Sequence, residues 1–162
     1  MALAVENANL VRQKVKSALM NASPVAQAAF DSLQRYLASQ KGNPDLEFVP
    51  FNDAQLTTAT GYSPIGAACS LYGVYFIKNG TSGTGTATDS WLTIANDASN
   101  VTDATKFVAL HTSASTDEVF AVYPKKIAFG TDITISGETS AQDGTESTAG
   151  DSGSGFLILG AA

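Results

Sequence analysis

The spacing of apolar positions changes character near residue 44. Before it, apolar residues recur every three or four positions; after it, they come in short alternating runs closed by Gly, Pro, Asn or Asp. In the first part, Leu3, Leu10, Val11, Val15, Ala18 and Leu19 predict an amphipathic helix, with Glu6, Arg12, Gln13 and Lys16 for its wet side. Asn21-Ala22-Ser23-Pro24 interrupts it and opens a second helix, with Ser23 as N-cap and Pro24 at the first helical position. Val25, Ala28, Ala29, Leu33, Tyr36 and Leu37 form the second stripe, and Gly42 and Pro44 end it. Both stripes are thin and Ala-rich, so this arm is expected to pack on something other than itself.

The second part reads as strands. Leu46–Phe51 is extended, and Pro50 places it at a sheet edge. Asp53–Leu56 suits a helical turn. The most strand-like run is Leu71–Lys78, with Leu71, Gly73, Tyr75 and Ile77 on one face and Tyr72, Val74, Phe76 and Lys78 on the other. Both faces are apolar, so each needs a covering layer. Ser90–Ala95, Lys106–His111, Glu118–Tyr123 (stopped by Pro124), Ile127–Phe129, Asp132–Ser136 and Gly155–Gly160 follow. Gly137–Gly155 has no period and reads as a long polar loop. The final run is apolar on both faces, as suits a strand inserted in the middle of a sheet. The expected fold is α+β but mainly β: an N-terminal helical arm over residues 1–44, then an antiparallel β-sandwich over residues 45–162, jelly-roll-like.

Composition sharpens the division. The first threonine is Thr57, and threonine is frequent from there on. Residues 1–41 carry five basic and two acidic residues, a net +3; the rest carries four basic and thirteen acidic, a net −9. Charged residues are only 15% of the chain, against roughly 25% in typical soluble domains. Polarity comes instead from Thr, Ser, Gly and Asn, which lets subunits sit close without repulsion. The net charge of −6 argues against direct nucleic-acid binding. No basic-then-apolar leader opens the sequence and no run is long enough to span a bilayer, so synthesis in a cytoplasm without membrane attachment is expected.

Little in the sequence suggests chemistry. The lone Cys69 excludes an internal disulfide and reads as a small core residue, and the single His111 cannot build a transition-metal cluster. Asp143, Glu146 and Asp151 lack calcium-loop spacing and read as a solvated acidic loop. Gly80, Gly83 and Gly85 precede no lysine and open no helix, so they make no phosphate cradle. Gly150-Asp151-Ser152-Gly153-Ser154-Gly155 resembles the nucleophile signature of chymotrypsin-like proteases, and His111 with Asp132 would complete a triad. The chain is too short for that two-barrel fold, and a Gly/Ser turn into the last strand is the simpler reading. Trp91, Tyr72 and Tyr75 are core aromatics first and a sugar-stacking platform second. No enzymatic activity, cofactor or metal is expected.

The strand and turn Gly73-Val74-Tyr75-Phe76-Ile77-Lys78-Asn79-Gly80, the stretch Pro124 to Ile135 and the ending Gly155-Phe156-Leu157-Ile158-Leu159-Gly160 resemble small β-sandwich virion proteins of tailed bacteriophages. That resemblance implies a non-enzymatic, oligomeric module of the capsid decoration or cement type. It would be assembled into the virion in the bacterial cytoplasm, with the major capsid protein or another virion protein as partner. The β domain would form a homo-oligomer, with a trimer favoured. The arm and the segment after it would reach a neighbour through Leu10, Val25, Leu33, Tyr36, Phe48 and Phe51. The alternative is a receptor- or glycan-binding module of a fibre, collar or tail, with Trp91, Tyr72 or the Gly137–Gly155 loop at its site.

Overall fold

The structure is a computed structural model that describes residues 13–14, 16–17, 28, 31–32, 35, 46–56, 61–78, 90–98, 106–112, 118–138 and 153–162. The eight described residues before Leu46 are all α-helical, and the Ser32 hydroxyl donates to the Ala28 carbonyl one turn back at 3.3 Å. Seven strands follow: β1 (Leu46–Phe51), β2 (Cys69–Lys78), β3 (Ser90–Asn96), β4 (Lys106–Thr112), β5 (Glu118–Phe129), β6 (Ile133–Glu138) and β7 (Gly153–Ala161). All pairings are antiparallel. Sheet A runs β1-β7-β2-β5 and sheet B runs β4-β3-β6, with an isolated bridge from Tyr62 to Ile135 continuing sheet B beyond β6.

These pairs nest. β1 pairs with β7, Tyr62 with β6, β2 with β5 and β3 with β4, as in one long antiparallel ribbon; β2–β7 and β3–β6 then join as the ribbon rolls up. The two sheets share one core. Val49, Phe51, Leu71, Val74, Phe76, Phe129, Leu157 and Leu159 from sheet A meet Leu92, Ile94, Ile133 and Ile135 from sheet B. This is a β-sandwich, as the run of short strands predicts.

Several local expectations hold. β1 is an edge strand, and Pro50 on it is exposed, where a missing N–H costs nothing. β7 lies between β1 and β2, so the chain's last strand is central. A helical turn, α1 (Asp53–Leu56), forms where expected, closed by a capping box. Gln55 N–H donates to Asn52 Oδ1 at 3.2 Å and Asn52 N–H donates to Gln55 Oε1 at 2.8 Å. Leu56 is fully buried and ties the turn to the core.

Two expectations are corrected. Strict alternation along Leu71–Lys78 fails because a β-bulge lies between Leu71 and Gly73. Leu71 pairs with Leu159 and Gly73 with Ile158, so Tyr72 is an extra residue and the faces exchange there. Cys69, Leu71, Val74 and Phe76 therefore point into the sandwich, while Tyr72, Tyr75 and Ile77 point out. The second correction concerns Pro124, which does not end a strand: Glu118–Phe129 is one element. Leu71 pairs with Ile127 and Gly73 with Val122, so residues 123–126 of β5 form an excursion opposite Tyr72. The proline sits where the ladder is already interrupted and no N–H is needed.

Candidate interaction surface

Turned away from the sandwich core, sheet A carries a second apolar layer. Leu46, Tyr72, Tyr75, Phe156 and Ile158 form a buried cluster, with Phe48, Ile77, Phe120 and Val122 half-buried at its margin. Its centre is aromatic. Phe156 lies 4.7 Å from Phe48, 5.3 Å from Tyr75 in a stacked arrangement, and 5.8 Å from Phe120 edge-on; Tyr75 and Phe120 meet edge-on at 5.9 Å. The cross-strand register creates this group, since Phe156 pairs with Tyr75 on β2 and with Pro50 on β1, and Tyr75 pairs with Phe120 on β5. Tyr75 keeps its polar end satisfied by donating to Glu118 Oε2 at 2.5 Å. Burial, then that hydrogen bond and the carboxylate charge, push the phenol well above its usual value. Burial also raises Tyr123, which points into the sandwich.

Of the residues expected to reach a partner, Leu10, Val25, Leu33 and Tyr36 lie outside the described residues. Phe48 is on this outer face, half-buried. Phe51, three positions on, turns the other way and is 4% exposed in the core, so it offers no surface to a partner in this fold. Tyr72 and Tyr75 are 8% and 6% exposed on the outside of sheet A, whereas Trp91 is half-buried on sheet B. Its neighbours Leu92 and Ile94 alternate into the core, which puts Trp91 on the far side of sheet B. The three aromatics therefore make no single platform.

The outer side of sheet B is chemically different. Thr93, Thr134 and Ser136 are buried there, and Thr134 donates to the Asp97 carbonyl at 2.5 Å. Thr93 Oγ1 and, on sheet A, Ser70 Oγ have no hydrogen-bond partner among the described residues.

The protease-like motif resolves into packing. Ser152 lies outside the described residues, but Gly153 and Gly155 belong to β7. A Cβ at Gly155 would overlap the Tyr75 carbonyl oxygen and come within 2.9 Å of Phe51 Cζ; one at Gly153 would overlap the Phe76 ring. Both glycines let neighbouring aromatic rings and backbone close over β7. His111 pairs with Trp91 at one end of β3, while Asp132 precedes Ile133, which pairs with Asn96 at the other. Five residues of strand separate them, roughly 16 Å, so the two do not combine in a triad. Asp132 is 2% exposed and accepts from the Ser63 hydroxyl and from Ile133 N–H at 2.7 Å, pinning the Tyr62 segment to the start of β6. Cys69 is buried, and burial with the nearby Asp132 charge pushes its thiol up to about 12, which makes it a poor nucleophile at neutral pH.

No element-level signal in the sequence marks the outer aromatic cluster as a unit, because the bulge at Tyr72 reassigns half of β2 to it. The faces become readable only with Phe156 and Ile158 known to lie beside Tyr75 and Gly73. Comparison with protein-family models, curated proteins and solved structures gives no match.

Proposed function

We propose that this chain is a structural protein of a tailed-phage virion, a decoration or cement protein that stabilises the head by bridging neighbouring capsid subunits as a homotrimer. The observation that carries the reading is the rolled-ribbon order, β1-β7-β2-β5 against Tyr62-β6-β3-β4. It supports a jelly roll whose second strand is reduced to the Tyr62 bridge, an architecture used by viral shells and by lectins. The N-terminal helical arm over residues 1–44 belongs to the proposal, reaching a neighbouring subunit through Leu10, Val25, Leu33 and Tyr36. A surface with few charges suits a protein that must sit close to many copies of its neighbours.

The test is sedimentation of the purified chain with heads that lack it, alongside light scattering of the chain alone. Saturable head binding and a trimer mass are expected. A stable monomer at micromolar concentration removes the trimer. Absence of head binding with saturable binding on a glycan array favours the lectin branch of the fold, a receptor-binding module of fibre, collar or tail.

A further inference from the structure

Sheet B is bordered on one side by a segment that is not a strand. Tyr62 meets Ile135 of β6 in an isolated antiparallel bridge. Tyr62 N–H donates to the Ile135 carbonyl at 2.8 Å, and Ile135 N–H donates to the Tyr62 carbonyl at 2.9 Å. Because β3 occupies the other side of β6, this bridge is what closes that edge among the described residues. Each strand proper is held by a ladder at least as long as that of β1, which runs from Leu46–Gly160 to Phe51–Gly155. The Tyr62 segment has two backbone hydrogen bonds in place of a ladder. Local opening starts where the fewest hydrogen bonds and the least burial hold a stretch of chain.

Side chains add two anchors. The Ser63 hydroxyl donates to the buried carboxylate of Asp132, beside the start of β6, and Ile65 is 4% exposed in the core. Tyr62 reaches that core too, but is only half-buried. The bridge and both anchors lie between two glycines in the left-handed region, Gly61 at φ 75° and Gly66 at φ 71°. Residues with a Cβ rarely adopt such values, and glycine passes freely between them and the ordinary ones. Gly66 and Ala67 are exposed, so the pivot on the β2 side faces solvent.

The sheets do not depend on this segment. β6 keeps its whole register with β3, from Trp91–Glu138 to Asn96–Ile133, on the side away from Tyr62. Ile133 and Ile135 are in the core beside Leu92 and Ile94. Releasing the segment breaks the two bridge bonds and the Ser63–Asp132 bond and exposes Ile65, while every ladder stays intact.

We propose that Gly61–Gly66 is a strap that opens as a unit from the edge of sheet B, turning about its two left-handed glycines, while both sheets remain closed. Opening frees the N–H and C=O of Ile135, so the outer edge of β6 is unpaired only in the open form. This inference rests on hydrogen bonding, burial and backbone geometry and stands independently of the virion reading.

The test is hydrogen exchange of the full-length chain, read by nuclear magnetic resonance at the bridge amides of Tyr62 and Ile135 and at Val74 and Leu157 in the middle of sheet A. Two variants separate local from global opening. Ile158→Val trims the outer cluster of sheet A, which the open form retains; Ser63→Ala removes the strap's own bond to Asp132. Ile158→Val is expected to speed exchange at Val74 and Leu157 by about two- to tenfold and to leave Tyr62 and Ile135 unchanged. Ser63→Ala is expected to speed Tyr62 and Ile135 together, by about tenfold or more. If Ile158→Val speeds the bridge amides as much as those of sheet A, the segment is released only when the whole domain unfolds, and the proposal fails. Unequal responses of Tyr62 and Ile135 to Ser63→Ala would equally overturn it, as would bridge amides that exchange at unprotected rates in the parent chain.

Discussion

Gly155→Ala is the sharpest single probe of how the strands meet. The added methyl would overlap the Tyr75 carbonyl oxygen, lie 2.8 Å from the carbonyl carbon behind it and 2.9 Å from Phe51 Cζ. Phe51 could tilt away, but two of these atoms are backbone of β2, hydrogen-bonded beside β7, and can yield only if the strands part. Overpacking of a close-packed site costs about 1–3 kcal/mol, and loosening one or two ladder bonds adds about 1 kcal/mol each. The sum is about 2–5 kcal/mol of destabilisation, or roughly 4–20 °C in Tm for a domain of this size. The sign is informative, because a Gly→Ala change without a clash stabilises by about 0.4–1 kcal/mol through the unfolded chain. Urea unfolding followed by circular dichroism measures it, with the half-buried neighbour Ser154→Ala as control. A Gly155→Ala protein within about 0.5 kcal/mol of the parent would refute the close approach of β7 to β2 and, with it, the packing explanation of the glycine motif.

Other expectations follow from the same structure. Cys69 should resist thiol reagents in the native state at pH 8 and react on unfolding. Its folded pKa of about 12 lies above the ordinary thiol value of 9.0, so its stabilising contribution is complete below pH 9 and is lost as pH rises from 9 to 12. That loss amounts to at most about 4 kcal/mol, and Cys69→Ala should flatten this part of a stability–pH curve. Val74→Asp puts a carboxyl group at a fully buried position between the sheets; a cost of roughly 4 kcal/mol or more should abolish the cooperative unfolding transition. Asp132→Ala removes the acceptor for Ser63 and Ile133, with an expected loss of about 1–3 kcal/mol and faster hydrogen exchange at the Ile133 amide. An unchanged exchange rate there would show that the carboxylate is not what holds that turn.

The strand inventory was legible because runs are followed by turn-forming residues, Asn79 after β2 and Gly130 after β5, while Pro50 inside β1 marks an edge. The central place of the last strand was legible too, since Phe156–Leu159 is apolar at every position and a one-sided strand would not be. What the sequence could not show is the bulge. A single inserted residue reverses every side chain beyond it, and nothing in Leu71-Tyr72-Gly73-Val74 separates a regular strand from one that changes face at Tyr72. The excursion at residues 123–126 is the other half of the same event, so Pro124 looked like a terminator when it marks an interrupted ladder. The glycine motif was read as a Gly/Ser turn into the last strand, and β7 begins at Gly153; what the spacing could not show is the reason for its glycines, the close approach of Tyr75, Phe76 and Phe51. The expected partner contacts divided for a simple reason of parity. Phe48 and Phe51 are an odd number of residues apart on one strand, so only one of them can face outward.

The proposed cement role is defined by what the chain does to the shell, and that is the most direct measurement. DNA-filled heads lacking the protein are heated with a fluorescent DNA stain, with and without saturating amounts of the full-length chain, and the temperature of DNA release is recorded. The account predicts release at a higher temperature when the chain is bound, with the increase reaching a plateau as the sites fill. Release at an unchanged temperature from heads that demonstrably carry the chain would contradict it.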